Sequence, residues 1–113
     1  MAPKGNNVEI IDNSEEVLKA FDNAIERGLE AIGLVAEGYA KQSCPVDTGR
    51  LRNSISHAVD PIGNAAYIGT NVEYAPYVEF GTSKMAPHPF LRPAALEHSK
   101  EYKALMKESM ENA

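Results

Sequence analysis

An α+β fold, with a long N-terminal helix and a shorter C-terminal helix packed on a small antiparallel β-sheet, is predicted by three features of the sequence. Apolar residues recur with a helical period from Ser14 to Ser43. Two β-type runs, 51–59 and 65–72, flank a Pro- and Gly-containing turn. A second helical period then follows Pro93 to about Met110. The change of period from 3.6 to 2 and back to 3.6 implies two helices and a hairpin sharing one hydrophobic core. With 113 residues, 43% of them hydrophobic, the chain suits a single domain spanning 1–113, with 1–7 as a loose leader and 8–110 folded.

Met1–Asn7 contains Pro3, Gly5 and two asparagines, a composition without a periodic element. Val8–Ile11 is a short β-type run and a candidate third strand. Asp12, Asn13 and Ser14 offer N-caps, and Glu15 and Glu16 place negative charge where the helix dipole favours it. From there Val17, Phe21, Ala24, Gly28, Ile32, Val35 and Tyr39 fall in one stripe, with Glu15, Asp22, Glu26, Glu30 and Glu37 on the opposite side as a solvated acidic face. About 30 residues give a rod on the order of 45 Å long. Gly28, Gly33 and Gly38 each weaken such a helix by about 1 kcal/mol relative to alanine. Gly28 lies in the apolar stripe, so close approach of another element is expected there.

Pro45 ends the helix by forcing the preceding residue out of helical geometry. Ile55, His57 and Val59 alternate with Ser54, Ser56 and Ala58, as in a half-buried strand. Asp60-Pro61-Ile62-Gly63-Asn64 turns the chain into the returning strand. Pro76 suits a first helical turn and Gly81 a C-terminus, so 76–80 reads as one short helix. Thr82–His88 fits neither helix nor strand and is expected to be a mobile loop. Beyond it, Leu91, Ala94, Ala95, His98, Tyr102 and Leu105 mark the buried face of the last helix.

Composition narrows function. Eleven basic residues against sixteen acidic give a net charge of −5, which opposes non-specific DNA binding. A regulatory or DNA-binding module would instead show salt-dependent DNA affinity. No apolar run approaches the ~20 residues a membrane helix needs, and the N-terminus lacks a signal-peptide core, so a cytosolic protein is expected. Cys44 is the single cysteine and is expected to be a buried, inert thiol. His57, His88 and His98 share no metal-ligand spacing, and no phosphate cradle or nucleophile elbow is present.

Asp47-Thr48-Gly49 is the tripeptide of aspartic proteases, and a homodimer of the retroviral type is the alternative reading. In those enzymes the tripeptide follows an apolar strand and two aspartates share a proton. Here it follows a helix and a proline, and Arg50 and Arg52 favour an ionised carboxylate. Asp47 and Thr48 therefore read as turn residues, Gly49 as a position of unusual backbone angle, and the arginines as surface ion-pair partners. Glu79, between Val78 and Phe80, needs a partner if buried; Arg50, Arg52 and Arg92 are the candidates, within the chain or across a subunit contact.

Three segments in fixed order are more specific than any of these features. They are Pro45-Val46-Asp47-Thr48-Gly49-Arg50-Leu51, Tyr74-Ala75-Pro76-Tyr77-Val78-Glu79-Phe80-Gly81-Thr82, and Pro89-Phe90-Leu91-Arg92-Pro93-Ala94. Together they resemble the lambdoid phage gene-ten-like family of tail components, over roughly residues 8 to 108. The resemblance implies a structural, non-enzymatic phage or prophage protein of the head-tail junction, acting in head-tail joining or tail completion. It further implies a ring around the DNA channel, contacts with connector and tail proteins, passage of DNA without sequence-specific binding, and no membrane or cofactor. Location in the virion, after synthesis in the host cytoplasm, follows from the same likeness. Candidate assembly residues are Glu79 and the loop Thr82, Ser83, Lys84, Met85, Ala86, Pro87 and His88.

Overall fold

A computed structural model describes residues 14–45 and 49–112, so Val8–Ile11, Asp47 and Thr48 lie outside the described residues. Helix α1 runs Ser14–Ser43, with Glu15 and Glu16 in its first turn and Lys41 in its last, the charge order that the helix dipole favours. It stops two residues before Pro45, as the proline requires. Gly49 follows with φ 76, a left-handed angle that costs glycine little, and turns the chain directly into α2, Arg50–Ser54.

The start of the expected first strand is thus a helical turn. Leu51 and Ile55, both buried, are four residues apart, a spacing that serves one face of a helix as well as the start of an alternating run. Strand β1, Ser56–Asp60, begins only after Ile55 and pairs antiparallel with β2, Ala65–Gly69, in the register His57 to Ile68. At the turn, the Gly63 N–H donates to Asp60 Oδ1 (3.1 Å) and Asn64 takes φ 53. The returning strand ends at Gly69 rather than Val72. Thr70 leaves the ladder because its hydroxyl accepts the Val72 N–H (3.1 Å) and meets the Ser54 hydroxyl (2.5 Å), which in turn donates to the Leu51 carbonyl (2.6 Å).

Helix α3, Ala75–Phe80, closes on Gly81 at φ 79, matching the short helix read around Pro76. The last helix is divided into α4, Leu91–Leu96, and α5, Ser99–Glu111. At the break His98 leaves helical geometry and lays its ring flat on Tyr39, centroids 3.6 Å apart and planes within 3°. The division lets α4 enter the core while α5 runs along α1. Ala94 is buried as expected, whereas Ala95 is exposed.

The core gathers at the C-terminal end of α1, where Ala40, Cys44, Leu51, Ile55, Val72, Ala75, Phe90 and Ala94 pack together. Burial raises the pKa of the Cys44 thiol, in keeping with an inert cysteine. Along the rest of α1 the buried positions are Ala24, Gly28, Leu29, Gly33 and Ala36, a wider face than the expected stripe because α5 and the hairpin cover it from two sides. A Cβ on Gly28 would stand 2.6 Å from Met106 Sδ, and Ser109 Oγ donates to the Ala24 carbonyl (2.6 Å), so the close approach expected at Gly28 is that of α5. Contrary to the stripe, Val17 and Phe21 are exposed; they precede Ala24, which bonds to Ser109 near the end of α5. No helix among the described residues is long and apolar enough to cross a membrane.

Candidate assembly surface

The three sequence segments meet at the C-terminal end of α1. Pro45, Arg50 and Leu51 from the first, with Tyr74, Tyr77 and Val78 from the second and Met85 from the following loop, line an open apolar groove of about 550 Å³. Arg50 reaches Glu73 (3.3 Å) and lies over the Tyr74 ring, 5.6 Å from its centroid, which ties the first segment to the second. The second and third segments are joined by Glu79.

Glu79 is 4% exposed, and it pairs with none of the three expected guanidinium groups; of those arginines only Arg92 reaches it, through its backbone. Its carboxylate accepts the backbone N–H groups of Phe90 (3.1 Å), Leu91 (2.9 Å) and Arg92 (3.1 Å), the otherwise unpaired donors at the start of α4. A side chain eleven to thirteen residues upstream thereby does the work of an N-cap, with the charge on the side that the helix dipole favours. No side chain of Phe90 caps α4 itself. Pro93 in the first turn fits this, since a proline there forfeits no helical bond. Arg92 instead extends over the Phe80 ring, 5.7 Å from its centroid.

Between these anchors the loop from Thr82 to His88 is exposed, with the Thr82 and Met85 backbones exchanging hydrogen bonds (2.8 and 3.3 Å). The Lys84 N–H donates to the Thr82 hydroxyl (3.2 Å), and the His88 N–H donates to the Val78 carbonyl (2.7 Å). Gly81 is fixed by crowding as well as by φ, because a Cβ there would stand 2.7 Å from the Pro87 nitrogen. Pro76 and Pro89 are exposed, while Phe90 is wholly buried.

A second charged arrangement was not foreseen. His57 on β1 sits over Gly33, where a Cβ would meet its ring at 2.7 Å, and each ring nitrogen faces a carboxylate of α1: Nε2 to Glu30 (2.5 Å) and Nδ1 to Glu37 (2.8 Å). Two ionised carboxylates can only accept, so the arrangement favours the protonated ring, in which both nitrogens donate. The hydrogen bonds to Glu30 and Glu37 raise the His57 pKa, and those from His57 and Lys41 lower that of Glu37. Glu30 and Glu37 are therefore not simply part of a solvated face. The signal was their spacing of seven, two helical turns, on either side of a glycine. Tyr39 adds a hydrogen bond to Glu101 of α5.

The tripeptide lies between α1 and α2 rather than after a sheet strand, and no group of three or more metal-ligating side chains occurs among the described residues. A family model described as "Bacteriophage HK97-gp10, putative tail-component" matches residues 9–81, which hold the first segment and the second up to Gly81 and stop short of the third. Comparison with curated proteins and with solved structures gives no match.

Proposed function

This chain belongs to the HK97-gp10-like family of bacteriophage tail components, and from that membership we propose that it is a structural, non-enzymatic virion protein of the head-tail junction. In this role it joins heads to tails or completes the tail as a ring around the DNA channel, touching connector and tail proteins. The family match over 9–81 carries the reading. Its supports are physical. A net charge of −5, with Glu15, Asp22 and Glu26 on one side of α1, suits a lining past which DNA slides without being held. The loop Thr82–His88 stands out from a rigid double anchor at Val78 and Glu79, the arrangement by which a scaffold presents a contact loop.

Complementation tests it. A phage or prophage lacking this gene should accumulate separate filled heads and tails, and the intact chain should restore joined particles. Asp47→Asn should restore them equally, as expected for a non-catalytic aspartate. Deletion of Ser83–Ala86 should leave the thermal melt close to that of the parent yet fail to restore joining. Normal joining in the absence of the gene would remove the proposal. Joining restored by the loop deletion would remove the loop from the contact.

A further inference from the structure

The hairpin leaves one of its two edges bare. On the β2 side, Ala66, Tyr67 and Ile68 share a hollow with Ala95 of α4 and Tyr102 of α5, so helices stand beside that strand. On the β1 side the contact is with α1 beneath, through His57, and no backbone hydrogen bond from outside the hairpin reaches Ser56–Asp60 among the described residues. There is room beside it. An open hollow of about 470 Å³ over Asn23, Glu26, Arg27 and Glu30 starts at the Glu30 carboxylate that His57 holds. Edge strands are ordinarily blunted by lysine, proline or a bulge. Ser56–Asp60 has none of these devices: it reads Ser-His-Ala-Val-Asp in unbroken register with β2, with Ser56 and Ala58 exposed. Such an edge is a template for a further strand.

Outside the hairpin, the β-type run of the sequence is Val8–Ile11, in which Val8, Ile10 and Ile11 are β-branched. It lies outside the described residues, and chain length decides whose edge it can reach. Ile11 is three residues from Ser14, where α1 starts, and an extended chain covers about 11 Å in that distance. The hairpin tip, with Pro61, Ile62 and Asn64, stands against Asp22, Ile25 and Glu26, the first of them eight residues and about 12 Å along the helix from Ser14. The ladder starts only beyond the tip, at Asp60. A chain's own Ile11 therefore falls short of its own β1. We propose that the bare edge of β1 accepts Val8–Ile11 of a second copy of this chain as a third strand. The inference rests on the ring reading above and names its contact. A strand lent by each copy to the next is a heterologous contact, which closes into a ring where the rotation allows. Glu9 of the incoming run also brings the charge that suits Arg27, which has no ion pair among the described residues.

Cysteine scanning in the full-length chain tests it, with a short bis-maleimide as linker because an irreversible bond traps even a weak contact between free subunits. Cys44 is buried and does not compete. A chain with Ala58→Cys, an exposed position of β1, is mixed in turn with chains carrying Val8→Cys, Glu9→Cys, Ile10→Cys or Ile11→Cys. Alternate positions should give heterodimer and the intervening ones little, because successive side chains of a strand point to opposite faces. Ile10→Pro, added to whichever of Val8→Cys and Glu9→Cys links better, should cut the yield about tenfold by removing a ladder donor, with the thermal melt unchanged. Any of three results overturns the exchange: heterodimer no greater than with Ser99→Cys in place of Ala58→Cys, equal yields at all four positions, or a chain carrying both cysteines that links only within itself. Joined particles in which Ala58→Cys gives none of these links would discard the exchange and leave the head-tail role standing. The alternating pattern in a chain that does not restore joined particles would do the reverse.

Discussion

Glu79 and His57 each clasp two parts of the chain with charge, yet they do so with opposite chemistry. Glu79 sets a buried carboxylate against three backbone N–H groups, donors that carry no titrating proton and hold one direction. His57 sets a titrating ring against two carboxylates that themselves titrate, with Glu30 largely in solvent. The first clasp joins the motif-bearing segments beside the groove, and the second holds the hairpin to the middle of α1. Where the chain must keep a fixed surface it uses a backbone dipole. The arrangement whose donor also titrates lies away from that surface.

The largest expected effect comes from Glu79→Ala. Three N–H donors, the Phe90 one fully buried, would lose their acceptor, at a cost of about 3 kcal/mol. That is a large share of the stability of a domain this size. Glu79→Gln keeps one acceptor oxygen but aims an amide NH₂ at the helix start, so urea denaturation should rank the parent above Gln and Gln above Ala. Equal midpoints for all three chains would show that the cap contributes nothing.

His57→Ala should cost less, about 1 kcal/mol after allowing for the solvent around Glu30, and should change the pH profile. Because the folded His57 pKa is raised above its ordinary 6.5, its contribution is complete below that value and is lost as pH rises through the folded one. Glu37 has a lowered pKa, so its contribution is present above the ordinary 4.5 and is lost as pH falls through the folded value. The clasp is therefore strongest in the mildly acidic window between the two. Denaturation midpoints of the parent should fall toward alkaline pH by more than those of His57→Ala. Parallel profiles would mean that the ring is neutral in the folded chain.

These two clasps also show what was legible in the sequence. The helix periods, the hairpin, the short helix at Pro76 and the left-handed Gly49 follow from local rules, and each is found at or within a few residues of its expected place. Leu51 and Ile55 misled because a spacing of four satisfies both a helix and an alternating strand end. His98 split the last helix because its ring finds Tyr39 from α1, a contact between residues fifty-nine positions apart that no local pattern encodes. Glu79 could be recognised as needing a partner, but the backbone of a later helix has no side-chain identity to read. The segments of the candidate surface were visible as motifs; that the first two share one groove was not, since the groove exists only once Pro45, α2 and α3 are brought together.

Alanine at the three glycines of α1 sharpens the comparison at the smallest scale. At Gly33 the new Cβ would stand 2.7 Å from the His57 ring, so the ring must lift and the clasp weaken; this variant should copy the flatter alkaline profile of His57→Ala. At Gly28 the clash is with the Met106 thioether, a flexible end that can move aside, and the cost should be nearly offset by the better helix propensity of alanine. At Gly38 nothing lies within 4 Å of the added methyl, so the propensity gain stands alone and Gly38→Ala should stabilise the chain by about 0.5 to 1 kcal/mol. Its pH profile should stay parallel to the parent because it touches neither carboxylate of the clasp. A destabilised Gly38→Ala, or one with the flattened profile, would mean that Gly38 is approached by a part of the chain outside the described residues.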